Sequence, residues 1–243
     1  MKTALKYTDV TIRYRKESPA AVSRVSLQLE AGEKVALLGL NGSGKTTLLH
    51  AATGLIPFTG DIEVNGIKLT DKTMRKIRDI AGLLFSTPDD QLIFPNITDD
   101  VAFAMERRKI PHREARSRAT QILKSLGIDT QTDISPHVLS QGQRQRVALA
   151  GIFAASPLLL LLDEPSASLD TTGREELAQI LAQQSATILM ATHDLQFARR
   201  TCERFIILHD GKLHSDSHCP QTVEQYEQEC IASVLENKNM PGG

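Results

Sequence analysis

The chain has 243 residues, 41% of them hydrophobic, enough for one large α/β domain or a domain carrying an inserted subdomain. Its 28 basic and 29 acidic residues nearly cancel, which argues against a protein built to wrap nucleic acid, although a local basic face stays open. No apolar run approaches the ~20 residues that span a bilayer, and Met1-Lys2-Thr3-Ala4-Leu5 lacks the apolar centre of a signal peptide, so a cytosolic chain is expected unless a partner holds it at a membrane.

Residues 5–14 and 22–29 alternate apolar and polar positions, as half-exposed antiparallel strands do. Glu30-Ala31-Gly32-Glu33 turns into the apolar run Val35-Ala36-Leu37-Leu38, which reads as a buried parallel strand. A helix opens at Thr46. Short strand signals follow at Ile62–Val64, before the tight turn Asn65-Gly66, and at Ile80–Phe85. Residues 86–144 then change to helical spacing, with helices expected at Asp99–Arg108 and Arg113–Leu126 and breaks at Pro111 and Gly127. A further helix spans Gln141–Ala155 and ends at Ser156-Pro157. Strand-like runs at 158–162, 186–191 and 204–209 alternate with helices near 172–184 and 194–201, which implies a mostly parallel sheet with the helical middle inserted. Residues 216–243 read as a short polar helix and a tail.

The chemistry is carried by Gly39-Leu40-Asn41-Gly42-Ser43-Gly44-Lys45-Thr46, a complete phosphate-binding loop between an expected strand and an expected helix. Glycines let the backbone wrap closely around a polyphosphate, and the helix start aims free N–H groups at it. Lys45 is expected at the β- and γ-phosphates and the Thr46 hydroxyl on Mg²⁺. Leu158–Leu162 then reads as a strand buried on both faces, ending in Asp163-Glu164 where open α/β sheets bind ligands. Asp163 suits Mg²⁺, and Glu164 suits polarising the water that attacks the γ-phosphate.

Cys202, Cys219 and Cys230 show no Cys-x-x-Cys spacing and read as reduced thiols. His209, His214, His218 and Cys219 crowd together and either ligate a transition metal or decorate a surface turn around Asp210-Gly211.

With these motifs in order, the chain resembles the ATP-binding subunits of ABC transporters over nearly its whole length. Leu139-Ser140-Gln141-Gly142-Gln143, continued by Arg144-Gln145-Arg146, is similar to the family signature, Ser168-Leu169-Asp170 to its D-loop, and Thr192-His193-Asp194 to its switch histidine. Tyr14 falls where the family stacks an aromatic ring on adenine. The resemblance implies an α/β fold: a RecA-like P-loop NTPase core at about 1–85 and 145–215, an antiparallel β edge and an α-helical subdomain at about 86–144. It implies an ATP- and Mg²⁺-dependent hydrolase with Lys45, Glu164 and His193 catalytic. It also implies nucleotide contacts at Tyr14, Gly39, Asn41, Gly42, Ser43, Gly44, Thr46, Thr47, Ser140, Gly142, Gln143 and Asp170. Two such cassettes face each other head to tail, each signature closing over the partner's ATP.

Two positions depart from the pattern. Gln141 replaces a glycine, a change the family tolerates while Gly142 remains. Ser86, in Phe85-Ser86-Thr87-Pro88, stands where the family has a glutamine that reaches Mg²⁺ and senses the membrane partner. Serine is two heavy atoms shorter and reaches the metal only through a water, which implies weaker coupling. Gln91 lies beyond Pro88 and is not expected to take that role. Pro88-Asp89-Asp90-Gln91-Leu92-Ile93-Phe94 and Asp99–Phe103 are similar to the segment of energy-coupling-factor ATPases, including the cobalt and nickel type, that docks on coupling helices of a membrane subunit. That places the chain at the cytoplasmic face of the membrane, bound through Ser86–Phe103, with no nucleic-acid partner. Rival readings are a soluble ABC ATPase of translation or DNA repair, and a regulatory cassette that binds ATP without turnover.

Overall fold

A computed structural model describes residues 2–15, 17–128, 134–221, 223–226 and 228. Among these residues, ten strands form two sheets. The larger contains β3 (Lys34–Leu38), β6 (Ala81–Leu84), β7 (Leu159–Asp163), β8 (Thr187–Ala191), β9 (Arg204–His209) and β10 (Lys212–Ser217), ordered β10-β9-β3-β8-β7-β6. All neighbours in it are parallel except the β9–β10 hairpin at one edge. The smaller, antiparallel sheet runs β2-β1-β4-β5, from β1 (Thr3–Ile12), β2 (Val22–Glu30), β4 (Thr59–Val64) and β5 (Ile67–Lys68).

The parallel strands separate two cores, and their residues divide by strand alternation. In β7, Leu160 and Leu162 face one core while Leu159 and Leu161 face the other, all at 0% exposure. Such burial contributes roughly 1.5–3 kcal/mol per leucine. Leu158 lies outside the strand and is 53% exposed, so the two-faced burial expected for five leucines belongs to four. One core joins the sheet to α3 (Ile97–Glu106), α4 (His112–Ser125), α5 (Gln141–Ala154), α6 (Thr171–Ala182) and α7 (Leu195–Thr201). The other packs α1 (Lys45–Ala52) and the antiparallel sheet against the opposite face.

Three expectations are corrected. Ile80 ends a helix, α2 (Met74–Ile80), and the strand begins at Ala81. The first strand, expected to reach residue 14, ends at Ile12 and leaves Tyr14 beyond it, 65% exposed. Asp216 and Ser217 belong to β10 and not to a helix, because Arg204 of β9 grips Asp216 through two 2.7 Å hydrogen bonds. That grip raises the Arg204 pKa, an effect burial opposes. Helical backbone starts at Gln221; Cys230 and the expected tail lie outside the described residues.

Candidate active site

The phosphate loop leaves β3 and enters α1 in a path that glycine alone follows easily. Gly39 has φ 143°, and a Cβ there would sit 2.2 Å from the Leu208 carbonyl oxygen. The loop is therefore seated directly on β9. Gly44 caps α1 without a side-chain hydrogen bond, leaving the first-turn N–H groups to an anion. Ser43 Oγ is buried without a hydrogen-bond partner, and Lys45 Nζ donates to the carbonyls of Gly39 (2.8 Å) and Leu40 (3.2 Å). These residues fit a polyphosphate: a cradle a side chain would fill, an orphaned hydroxyl and a lysine folded over the loop. Burial lowers the Lys45 pKa, while Glu164 and Asp163 oppose that shift.

Strand β7 brings the acidic pair to the same place. Thr46 Oγ1 donates to both carboxylate oxygens of Asp163, at 2.9 and 3.0 Å, which gathers hard oxygen donors of the kind Mg²⁺ selects. Burial raises the Asp163 pKa, opposed by the Thr46 hydrogen bond. Glu164 follows with φ 49°, a left-handed conformation that stores about 1–3 kcal/mol in a non-glycine residue. Its N–H donates to the Ala191 carbonyl at 2.8 Å, tying the bend to β8. The carboxylate accepts from His193 Nδ1 at 2.9 Å and from Thr192 Oγ1 at 3.2 Å. Tyr14 OH lies 2.8 Å from Thr47 Oγ1, leaving a largely exposed ring beside the loop.

Ser140, Gly142, Gln143 and Asp170 gather elsewhere. Ser140 and Gln143 form a reciprocal capping box at the start of α5, and Asp170 Oδ1 accepts from Gly173 N at 2.7 Å to cap α6. These residues, with Gly127, Arg146 and Glu176, line a cavity of about 560 Å³. A Cβ on Gly142 would lie 2.8 Å from the Ser168 carbonyl oxygen, so glycine permits the signature and the 168–170 loop to touch.

Ser86 is exposed. The Gln91 side chain folds back across Pro88, its Oε1 accepting from Phe85 N at 3.3 Å. Of the two readings of the histidine and cysteine residues, the metal site is not formed: His209 and His214 come together, rings 6.1 Å apart, but both lie against Tyr226. His209 Nδ1 pairs with Tyr226 OH at 2.7 Å, His218 Nδ1 with the Glu203 carbonyl, and Cys219 with Gln221; among the described residues no group of three or more His, Cys, Asp or Glu can hold a metal. Burial pushes the Cys202 thiol up to about 12.

Two contributors escaped sequence reasoning. Thr192, fully buried, donates to Glu164 and accepts from Asp194 N. His50 stands four residues after Thr46 on α1, which puts the two on one helix face. Its Nε2 is buried and unpartnered, and its ring meets Phe85 edge-on at 5.4 Å. Burial lowers the His50 pKa, opposed by Asp163. The i,i+4 spacing was the available signal for it.

A glycine-wrapped helix start, a lysine and a Thr–Asp pair at the carboxyl ends of parallel strands define a P-loop nucleotide-binding protein. A family profile described as ABC transporter matches residues 22–167. The energy-coupling factor transporter ATP-binding protein EcfA1 of Bacillus subtilis is 39% identical over 94% of this chain and 83% of its own length. The solved cbiO1 of Clostridium perfringens, part of the ABC transporter complex cbiONQ, superposes with a TM-score of 0.79 at 31% identity, covering 99% of this chain and 97% of that one. A dimeric ATP-binding cassette in a post-hydrolysis state with ADP and Pi superposes at 0.80 with 30% identity, covering 88% and 97%. The chain belongs to the ABC transporter family of ATP-binding cassettes. Among the described residues no helix is long and apolar enough to cross a membrane.

Proposed function

We propose that this chain is the ATP-hydrolysing subunit of an energy-coupling-factor importer, working at the cytoplasmic face of a membrane to power uptake of cobalt, nickel or a vitamin. The carrying observation is the convergence of two pairs at adjacent strand ends: Thr46 on Asp163, and His193 on Glu164. The phosphate loop residues Gly39, Asn41, Gly42, Ser43, Gly44, Lys45 and Thr46, with Thr47, hold the triphosphate, and the exposed Tyr14 ring stacks on adenine. Thr46 and Asp163 hold Mg²⁺, which supplies charge neutralisation at the phosphates when bound. Ser86 belongs to that group through a water.

Glu164 accepts the proton of the attacking water, and His193 holds Glu164 and the γ-phosphate in line. A second cassette, identical or similar, supplies Ser140, Gly142, Gln143 and Asp170 from its own surface. That division is supported by the signature residues opening onto their own cavity. Residues 1–85 and 145–215 act as the core and 86–144 as a helical subdomain. Within that subdomain the exposed Ile93 and Phe103 beside Leu92 and Ala104 offer an apolar groove to the membrane subunit.

Lys45→Ala tests the reading. Calorimetry with Mg–ATP is expected to show affinity reduced about 10- to 100-fold, the weight of hydrogen bonds to a charged group. ATP-driven uptake of labelled cobalt or nickel into vesicles carrying the complex is expected to stop. Unchanged affinity refutes the site; intact binding in a parent complex that takes up neither the labelled metals nor a labelled vitamin refutes the transport assignment alone.

A further inference from the structure

The segment assigned to partner docking packs on the signature helix α5, and a charged pair joins it to the residues around the signature itself. Asp89 lies in the 3-10 turn Pro88–Asp90, three residues beyond Ser86. Arg144 lies in the first turn of α5, one residue past the capping box. Arg144 Nε is 3.2 Å from Asp89 Oδ1, and Arg144 Nη1 donates to the carbonyl of Leu139 at 2.8 Å. One guanidinium thus holds the residue before Ser140 and the turn after β6 together.

Its surroundings make this fork the polar attachment of that turn of α5. Gln145, the next residue, is 1% exposed, and neither its Nε2 nor its Oε1 has a hydrogen-bond partner. Arg146 points the other way, donating to the Leu126 carbonyl and pairing with Glu176. The Arg144 side chain is 21% exposed and that of Asp89 51%, so a largely buried guanidinium meets a half-exposed carboxylate. Arg144 Nε makes no aligned hydrogen bond, so its contact with Asp89 is an ion pair and not a directional hydrogen bond.

We infer that the Arg144–Asp89 pair is a positioning link that couples residues 86–103 to the signature at 139–143. It transmits partner docking to the surface that closes over the second cassette's nucleotide, and nucleotide closure back to the docking segment, as reciprocal coupling requires. The inference rests on the function proposed above, which assigns those two segments their partners.

Hydrogen exchange on the full chain tests it, comparing Mg–ATP with no nucleotide and following peptides 136–146 and 86–103. In the parent protein both segments are expected to gain protection with ATP. In Arg144→Ala and in Asp89→Ala the 136–146 response persists, while that of 86–103 falls by about twofold to fivefold, the range of a partly exposed ion pair. Arg144→Lys restores part of it, because lysine keeps the charge but lacks the fork. The charge-reversed double variant Arg144→Asp with Asp89→Arg restores more than either single reversal. An 86–103 response in both alanine variants equal to the parent's overturns the link. Loss of the 136–146 response in Arg144→Ala also overturns it, by making the arginine a mere brace of the signature. Silence of both segments in a parent protein that binds ATP refutes the proposed closure, and the link falls with it.

Discussion

The phosphate loop and the signature are both glycine-containing turns at helix starts, yet the molecule builds them differently. The first is seated on the main sheet, with Gly39 against the Leu208 backbone and Thr46 against Asp163. The second sits on the surface, held by a capping box and the Arg144 fork, and opens onto a cavity. A site embedded in a sheet has its geometry set by the core and can orient reacting groups by itself. A site on a helix end has donors but no second wall, which is how a surface that must close on another molecule and reopen is built.

The largest effect expected is at Glu164. Glu164→Gln keeps the shape but removes the base, so the ATPase rate is expected to fall about 10²- to 10⁴-fold with ATP affinity retained. A smaller loss in a phosphate-release assay would move the base elsewhere. The next contrast sets the two glycine turns side by side by thermal denaturation and turnover. Gly39→Ala is expected to destabilise the fold by about 3 kcal/mol or more, since the new methyl meets backbone at a positive φ. Gly142→Ala meets the Ser168 carbonyl oxygen at 2.8 Å and Leu169 Cδ2 at 3.3 Å, but at an ordinary helical φ. A smaller loss of about 1–2 kcal/mol is therefore expected, with turnover down about tenfold. Equal stability losses would erase the distinction between embedded and surface sites.

Ser86→Gln is expected to raise partner-stimulated ATPase about two- to fivefold over basal, by one added hydrogen bond. Equal stimulation in parent and variant would remove Ser86 from the coupling. The smallest effect concerns Asp100, at the groove of the docking segment. Burial raises its pKa to about 6, above the ordinary 3.8, so its ionisation opposes folding. That penalty is complete above about pH 6 and fades as pH falls toward 4. Asp100→Asn is expected to raise Tm by about 1–3 °C near pH 7.5, the gain vanishing near pH 4.5, as differential scanning fluorimetry would read.

Much of this was legible in the residues because it is periodic or local. Unbroken apolar runs marked the parallel strands, alternation marked the antiparallel ones, and the glycines before Lys45 and Thr46 marked the loop. Elements lacking a strong period were misplaced: β10, with Asp216 and Ser217 assigned to a helix, and α2, whose last residue was placed in a strand. β10 depends on Arg204 of the neighbouring strand, and α2 on Arg78 donating back to the Thr53 carbonyl.

The sequence by itself determined the phosphate loop, the acidic strand end and the alternating fold, since each is written within a few consecutive residues. Tertiary structure alone decided that Thr192 and His193 bracket Glu164 across 28 and 29 residues. It decided equally that His209 and His214 gather on Tyr226 while His218 and Cys219 find other partners, and that Arg144 meets Asp89. Hydrogen bonds and ion pairs of that kind act over a few ångströms, and only the packed sheets bring their partners within reach.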